Sequence, residues 1–277
     1  MVKKLLKHEF AYYLRSMLPI YAILLLVAIA GRVIQFFEAD NTIYDILFAI
    51  AMLTYVGAII AVCVMTLVFT ITRFYRNLFT SEGYLSFSLP VTPTQHISTK
   101  LIAAIVTHAA SFIVTLVSVC IITAGDVLAE IVKAIAYICN QAPVLLALAF
   151  DAYTEAQWST NLWLFAIEFV LLVLTTTVYA QLLYYTCITV GQLFNKNRAL
   201  AAVGAYGAYY VATESISTVV VVVAQFLPWE AIGENFFNAP IPYIHAMLLG
   251  YLVLNLLLSA ALFFVSHTII RRRLNLE

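Results

Sequence analysis

Charge is what this sequence has least of. Asp, Glu, Lys and Arg make up 10% of its 277 residues, where an ordinary soluble domain carries about a quarter. Apolar residues make up 64%, and the mean hydropathy is +0.99. These proportions exclude a soluble globular enzyme and a disordered chain. Fourteen basic residues balance fourteen acidic ones, so the excess of positive charge that a nucleic-acid binder needs is missing. There is no Gly-Lys dipeptide and hence no Walker A phosphate loop, and neither H-E-x-x-H nor G-x-S-x-G occurs. Four dispersed cysteines, Cys63, Cys120, Cys139 and Cys187, form no C-x-x-C pair, which argues against a metal site. Cys120 and Cys139 are candidates for a pair, with buried free thiols as the favoured reading. The chain reads as non-catalytic, with any ATP and Mg bound by another subunit.

Long apolar runs are what the sequence has in abundance. Crossing about 30 Å of hydrocarbon takes about 20 apolar residues in a helix. Six stretches qualify: Leu18–Phe37, Ile46–Thr72, Leu101–Thr123, Leu162–Val190, Ala199–Leu227 and Tyr243–Ile270. The short alternating segments of a membrane β-barrel are absent. The expected fold is all-α and polytopic, a single transmembrane domain over 1–277 with six spans.

The few charges give direction. Lys3, Lys4, Lys7 and Arg15 precede the first span; Arg73, Arg76 and Lys100 lie between the second and third; Lys196 and Arg198 between the fourth and fifth; Arg271, Arg272 and Arg273 follow the sixth. Basic residues mark the cytoplasmic side. The other side takes Arg32 and Lys133 with Glu38, Asp40, Asp45, Asp126, Glu130, Asp151, Glu155, Glu230 and Glu234. Both termini are therefore expected in the cytoplasm of a cell-membrane protein. Ile131–Phe150 is apolar enough to suggest a seventh span, but crossing there would misplace Lys196, Arg198 and the terminal arginines. Residues 124–161 therefore read as outer-face helices lying on, or dipping into, the membrane surface. The small-x-small triplet Ala28-Ile29-Ala30 resembles a signal cleavage site. The long segment before it, with Glu9 and several aromatics, favours retention.

Polar residues inside spans are costly and often functional. Glu214, Glu168, Gln181, His108 and Asn255 are the candidates, either as cavity contacts or as interhelical hydrogen-bond partners. No inverted repeat or pair of broken helices is legible. Small residues at helical spacing open the fifth span (Gly204, Gly207, Ala208); they suit either contact with a second subunit or packing within one.

Two segments on the basic side carry more. Over Met1–Met17, Val2, Leu5, Leu6, Phe10, Tyr13, Leu14 and Met17 share one stripe and the bases lie mostly elsewhere. This is the pattern of an amphipathic interfacial helix in contact with membrane lipid. The segment Arg73–Lys100 holds Phe74, Tyr75, Leu78, Phe79, Tyr84, Leu85, Phe87 and Leu89. It is too short to bury them in a core of its own, which points to a partner surface or lipid. Gly83 and Pro90 should delimit a short element around Tyr84–Leu89. Thr92, Pro93 and Gln95 should restart a helix as N-cap, first helical residue and capping-box partner.

The amphipathic start with Lys7-His8-Glu9-Phe10 and Leu18-Pro19, the six spans, and the E-G-Y-L-x-F-x-L-P-V core of the second-to-third-span loop together resemble ABC-2-type permeases of bacterial ABC exporters. The likeness is to those Gram-positive permeases whose ATP-binding subunit is a separate chain. The resemblance implies that Glu82, Gly83, Tyr84, Leu85, Phe87, Leu89 and Pro90 form a coupling helix that docks on the ATP-binding subunit. It also implies a second permease subunit, identical or related. The larger outer segment falls between spans three and four here, whereas better-known members place theirs between five and six. The implied function is ATP-driven export of an amphipathic substrate (a peptide, lipid or drug-like molecule). An ion-coupled carrier or channel using Glu168 and Glu214 is the alternative, as is a membrane anchor or sensor that binds a cytoplasmic partner.

Overall fold

The computed structural model describes residues 2–37, 42–88, 91–150, 153–194 and 197–272, with the side chains of residues 85–87, 126, 229 and 231 excepted. Glu38, Asp40, Asp151, Lys196 and Arg273 of the charge reading fall outside that set, as do Leu89 and Pro90. The described residues form nine helices and no strand: α1 (Val2–Phe36), α2 (Thr42–Phe79), α3 (Ser81–Ser88), α4 (Pro93–Ile122), α5 (Asp126–Ala149), α6 (Glu155–Gly191), α7 (Arg198–Ala224), α8 (Trp229–Asn238) and α9 (Pro240–Arg272). Seven of them, all but α3 and α8, are long and apolar enough to cross a membrane. The chain is thus all-α, with the helices of a multi-pass membrane protein.

Three expectations about helix limits change. The interfacial helix and the first span are one helix: α1 runs unbroken for 35 residues with Pro19 inside it. The second helix does not end with its apolar run at Thr72 but continues to Phe79, 38 residues in all, or about 57 Å. Residues 124–161 contain a single helix, α5, of 24 residues, followed by the first turns of α6. That makes α5 a seventh helix of spanning length where six were expected. The loop before the last long helix holds the short helix α8, of 10 residues.

Contacts divide the described residues into two compact units, one up to residue 134 and one from residue 135 onward, the division falling inside α5. In the first unit α1 packs against both α2 and α4. Leu24, Ala28, Tyr55, Val62 and Ile122 form its buried core, and Gly31 admits Ile122 to 3.1 Å from where a Cβ would stand. Hydroxyl pairs tie the helices: Tyr21 with Ser111 (2.7 Å), Thr66 with Ser111 (2.7 Å) and Tyr55 with Ser118 (3.0 Å). Such pairs satisfy polar groups that apolar surroundings would otherwise leave unsolvated.

The second unit repeats the order of long, long, short and long helix. Here α6 packs against α7 and α9, and α8 against α9. Gly191 is required at the α6–α7 corner, because a Cβ there would stand 2.8 Å from the Arg198 carbonyl oxygen and 2.9 Å from Ala202. Asn197, just before α7, takes a left-handed backbone with φ 53°, which Asn tolerates better than most residues. At the opposite end Phe150, Trp158, Phe236, Phe237 and Tyr243 form an aromatic cluster.

Candidate functional site

The most developed polar structure in the first unit lies at its basic end. Glu9 of α1 is buried, 3% exposed, and Lys100 of α4 is 1% exposed. Lys100 Nζ donates to Glu9 Oε1 at 2.9 Å, and Arg73 Nε, near the end of α2, donates to Glu9 Oε2 at 3.0 Å. The Arg73 guanidinium lies 4.3 Å from the centre of the Tyr12 ring, a cation–π contact. Arg73 also reaches Glu82 of α3 at 3.7 Å, and Arg76 reaches the same carboxylate at 3.8 Å. One carboxylate thus joins three long helices, and Arg73 carries the connection to the short one. Charges taken out of water are tolerated when paired and hydrogen-bonded; here the buried acid meets two bases.

These contacts bring the start of α1, the end of α2 and the start of α4 to one end of the unit, as their shared basic character suggested. Glu9 was not singled out as a site residue in the sequence. The available signal was an acid inside a run of lysines on an otherwise amphipathic helix.

The surroundings of α3 correct the reading of the loop. Phe74, Leu78 and Phe79 are wholly buried, because α2 carries them two turns beyond the apolar run and packs them inside the unit; Phe74 and Phe79 meet edge to face at 5.8 Å. They are not available to a partner. Gly83 does not interrupt the chain either. It lies inside α3 and is buried, its N–H donating to the Thr80 carbonyl at 2.7 Å. The break between α2 and α3 is at Thr80. Of the docking residues, Glu82 is tied to Arg73 and Arg76, and Tyr84 stands 60% exposed. Leu85 and Phe87 sit in α3 with side chains outside the described set. The return into α4 is as expected: Thr92 caps the helix, Gln95 completes the capping box at 3.1 and 3.4 Å, and Pro93 is in the first turn.

The second unit holds another polar cluster, at its acidic end. His245 Nδ1 of α9 lies 2.7 Å from Glu168 Oε1 of α6, and His245 Nε2 lies 3.0 Å from Asn161 Oδ1. Asn161 Nδ2 donates to the Gln157 carbonyl at 2.7 Å, which fixes the amide orientation. The atom facing His245 is therefore an acceptor, and Nε2 must carry hydrogen. Nδ1 is within hydrogen-bonding distance of Oε1, so both ring nitrogens have a partner on α6. Glu168 Oε2 is buried without a hydrogen-bond partner.

Further along the α6–α9 seam, Asn255 Nδ2 donates to Thr176 Oγ1 at 3.2 Å and Thr186 pairs with Ser266 at 2.9 Å. Asn255 is thus an interhelical hydrogen-bonding residue. Gln181 is buried on α6, and His108 is half-buried on α4 in the other unit. Glu214 is exposed on α7 and is not brought to Glu168. A Cβ at Gly204 or Gly207 would meet nothing within 4 Å, so no described residue packs on α7 at these two positions.

Cys120 and Cys139 are both free and exposed, as is Cys63; only Cys187 is buried. The free-thiol reading holds, and the expected burial does not for three of the four. Among the described residues no group of three His, Cys, Asp or Glu is placed to hold a metal ion. Compared with family models, characterised proteins and solved structures, the chain matches none.

Proposed function

We propose that the chain is the membrane permease subunit of an ATP-driven ABC exporter, with α3 as the helix that docks on a separate ATP-binding subunit. The observation that carries this is the attachment of α3. A short helix with Tyr84 exposed is held by Glu82 to Arg73 and Arg76. Arg73 is held in turn by the buried Glu9 that also binds Lys100. A partner that moved α3 as a rigid body would therefore pull on α1, α2 and α4 together, which suits transmission of a closing movement into the spans.

In this reading six helices cross and both basic ends face the cytoplasm, so α5 stays on the outer surface and the termini are inside. The unpacked Gly204 and Gly207 positions of α7 and the exposed Glu214 suit a second permease subunit, identical or related, because a carboxylate in a span is costly against lipid. The substrate class is amphipathic.

The test is co-purification from the native membrane. An ATPase should accompany the chain, and changing Tyr84, Leu85 and Phe87 to Ser should remove it while helix content and melting are kept. An ATPase that stays bound to the variant would sink the docking assignment.

One observation favours a second reading, an ion-coupled carrier: the contact between Glu168 and His245, two titratable groups 2.7 Å apart. In vesicles without ATP, Glu168→Gln should then abolish uptake driven by a proton gradient. Transport that requires ATP and survives this substitution would remove the carrier.

A further inference from the structure

We infer that the groove between the first half of α1 and α4 binds an anionic phospholipid, with one acyl chain in the groove and the headgroup on Lys3 and Lys7. The groove has a volume of about 250 Å³ and its walls are mainly apolar, with Phe10, Leu14, Met17 and Tyr21 of α1 facing Val106 and Ala110 of α4. From Phe10 to Tyr21 a helix rises about 17 Å. That is close to half of a hydrocarbon core about 30 Å thick, and so to the depth of one leaflet. The deep end is closed by the hydrogen bond between Tyr21 and Ser111.

The shallow end is where the charge lies. Lys3, Lys7, Phe10, Leu14, Met17 and Tyr21 follow at four- and three-residue steps, so they share one face of α1. Lys7 is a single turn before the groove, and both lysines are exposed. The acid of this stretch, Glu9, is buried against Lys100 and Arg73, and Glu82 at the same end is tied to Arg73 and Arg76, so among the described residues of the first half of α1 no free carboxylate opposes a phosphate. An apolar channel one leaflet deep with two cations at its mouth matches a lipid that carries a negative headgroup. The site does not depend on the exporter reading; it requires only that the basic end of α1 meets the membrane surface.

The test is native mass spectrometry of the full chain in neutral detergent, titrated with phosphatidylglycerol or phosphatidylcholine of identical acyl chains. Two juxtamembrane lysines should favour phosphatidylglycerol roughly tenfold or more. Lys3→Gln with Lys7→Gln should erase the preference and leave weak binding of both lipids. Ala110→Phe should fill the groove and abolish both. If that variant does not fold, Leu14→Trp serves instead, at a position already 64% exposed. Equal retention of the two lipids by the native chain would overturn the inference. So would a preference that outlasts the loss of both lysines, or retention untouched by filling the groove. A lipid-free dimer dissolved by the filling variant would assign the groove to a second copy, which also overturns it.

Discussion

Glu9→Gln is the sharpest probe of the buried charge network. Glutamine keeps the shape of the side chain and one acceptor oxygen while removing the charge. Arg73 retains other company after the change: Glu82 at 3.7 Å, the Tyr12 ring at 4.3 Å, and a side chain still 17% exposed to solvent. Lys100 is 1% exposed and cannot turn to water, so it bears most of the loss. Removing one partner of a buried ion pair costs about 3–5 kcal/mol, because the other charge stays desolvated. Lys100→Met should cost less, about 1.5–3 kcal/mol, because Glu9 keeps its hydrogen bond from Arg73. The double variant should cost clearly less than the sum of the two, with a coupling of about 0.5–3 kcal/mol. The assay is equilibrium unfolding of the purified chain in mixed micelles, followed by circular dichroism. A Glu9→Gln variant within about 0.5 kcal/mol of the native chain would be behaving like a surface substitution. That result, or additivity in the double variant, would refute the assignment of Glu9 as the buried tie between α1, α2 and α4.

Gly191→Leu should destabilise the chain by about 1–3 kcal/mol in the same assay, since the obstacle at 2.8 Å is a backbone oxygen that cannot turn aside. Gly207→Leu should leave unfolding of the single chain nearly unchanged, its surroundings being open, but should dissociate any dimer seen by light scattering. Glu168→Leu should cost about 1–3 kcal/mol by leaving His245 Nδ1 without its hydrogen-bond partner. Adding His245→Leu should recover much of that, and no recovery would mean that the pair is not the unit inferred from its geometry.

The legible features were those that repeat locally. Apolar length identified the helices α1, α2, α4, α6, α7 and α9, and the Thr92-Pro93-Gln95 pattern marked the start of α4. The illegible ones depend on distant residues. Glu9 meets Arg73 and Lys100 across 64 and 91 positions, and His245 meets Glu168 across 77. No periodicity links such partners, so Arg73 and Lys100 read only as markers of a membrane face. For the same reason α2 was cut short. Arg73 and Arg76 end an apolar run, yet helix formation is indifferent to a charge whose partner is close by. Phe74, Leu78 and Phe79 then passed for exposed loop residues. The shared helix order of the two units was also hidden, because it is carried by packing and by helix lengths, with no common motif.

The side of the membrane on which α5 lies determines the direction of everything after it, and the structure makes that question sharper. In the first unit the bases at the start of α1, the end of α2 and the start of α4 are at one end, as the contacts of Glu9 require. In the second unit Arg198 lies at the Gly191 corner, and Arg271 and Arg272 close α9. Its other end holds the aromatic cluster and Glu168. In each unit most of the bases gather at one end, with Arg32 and Lys133 the exceptions in the first. The proposed orientation, with both basic ends in the cytoplasm, requires α5 to begin and finish on the outer side. If α5 did cross, three exposed or loop-adjacent arginines would face outward in short segments, against the usual bias of such loops. In a cysteine-free background, single cysteines replacing Lys133 and Leu148, both exposed on α5, should each react with a membrane-impermeant maleimide on intact cells. A cysteine replacing Arg271 should react only after permeabilisation. Labelling of residues 133 and 148 from opposite sides would establish a seventh span and reverse the sidedness of α6 to α9. The lipid groove and the attachment of α3 in the first unit would be untouched by that result.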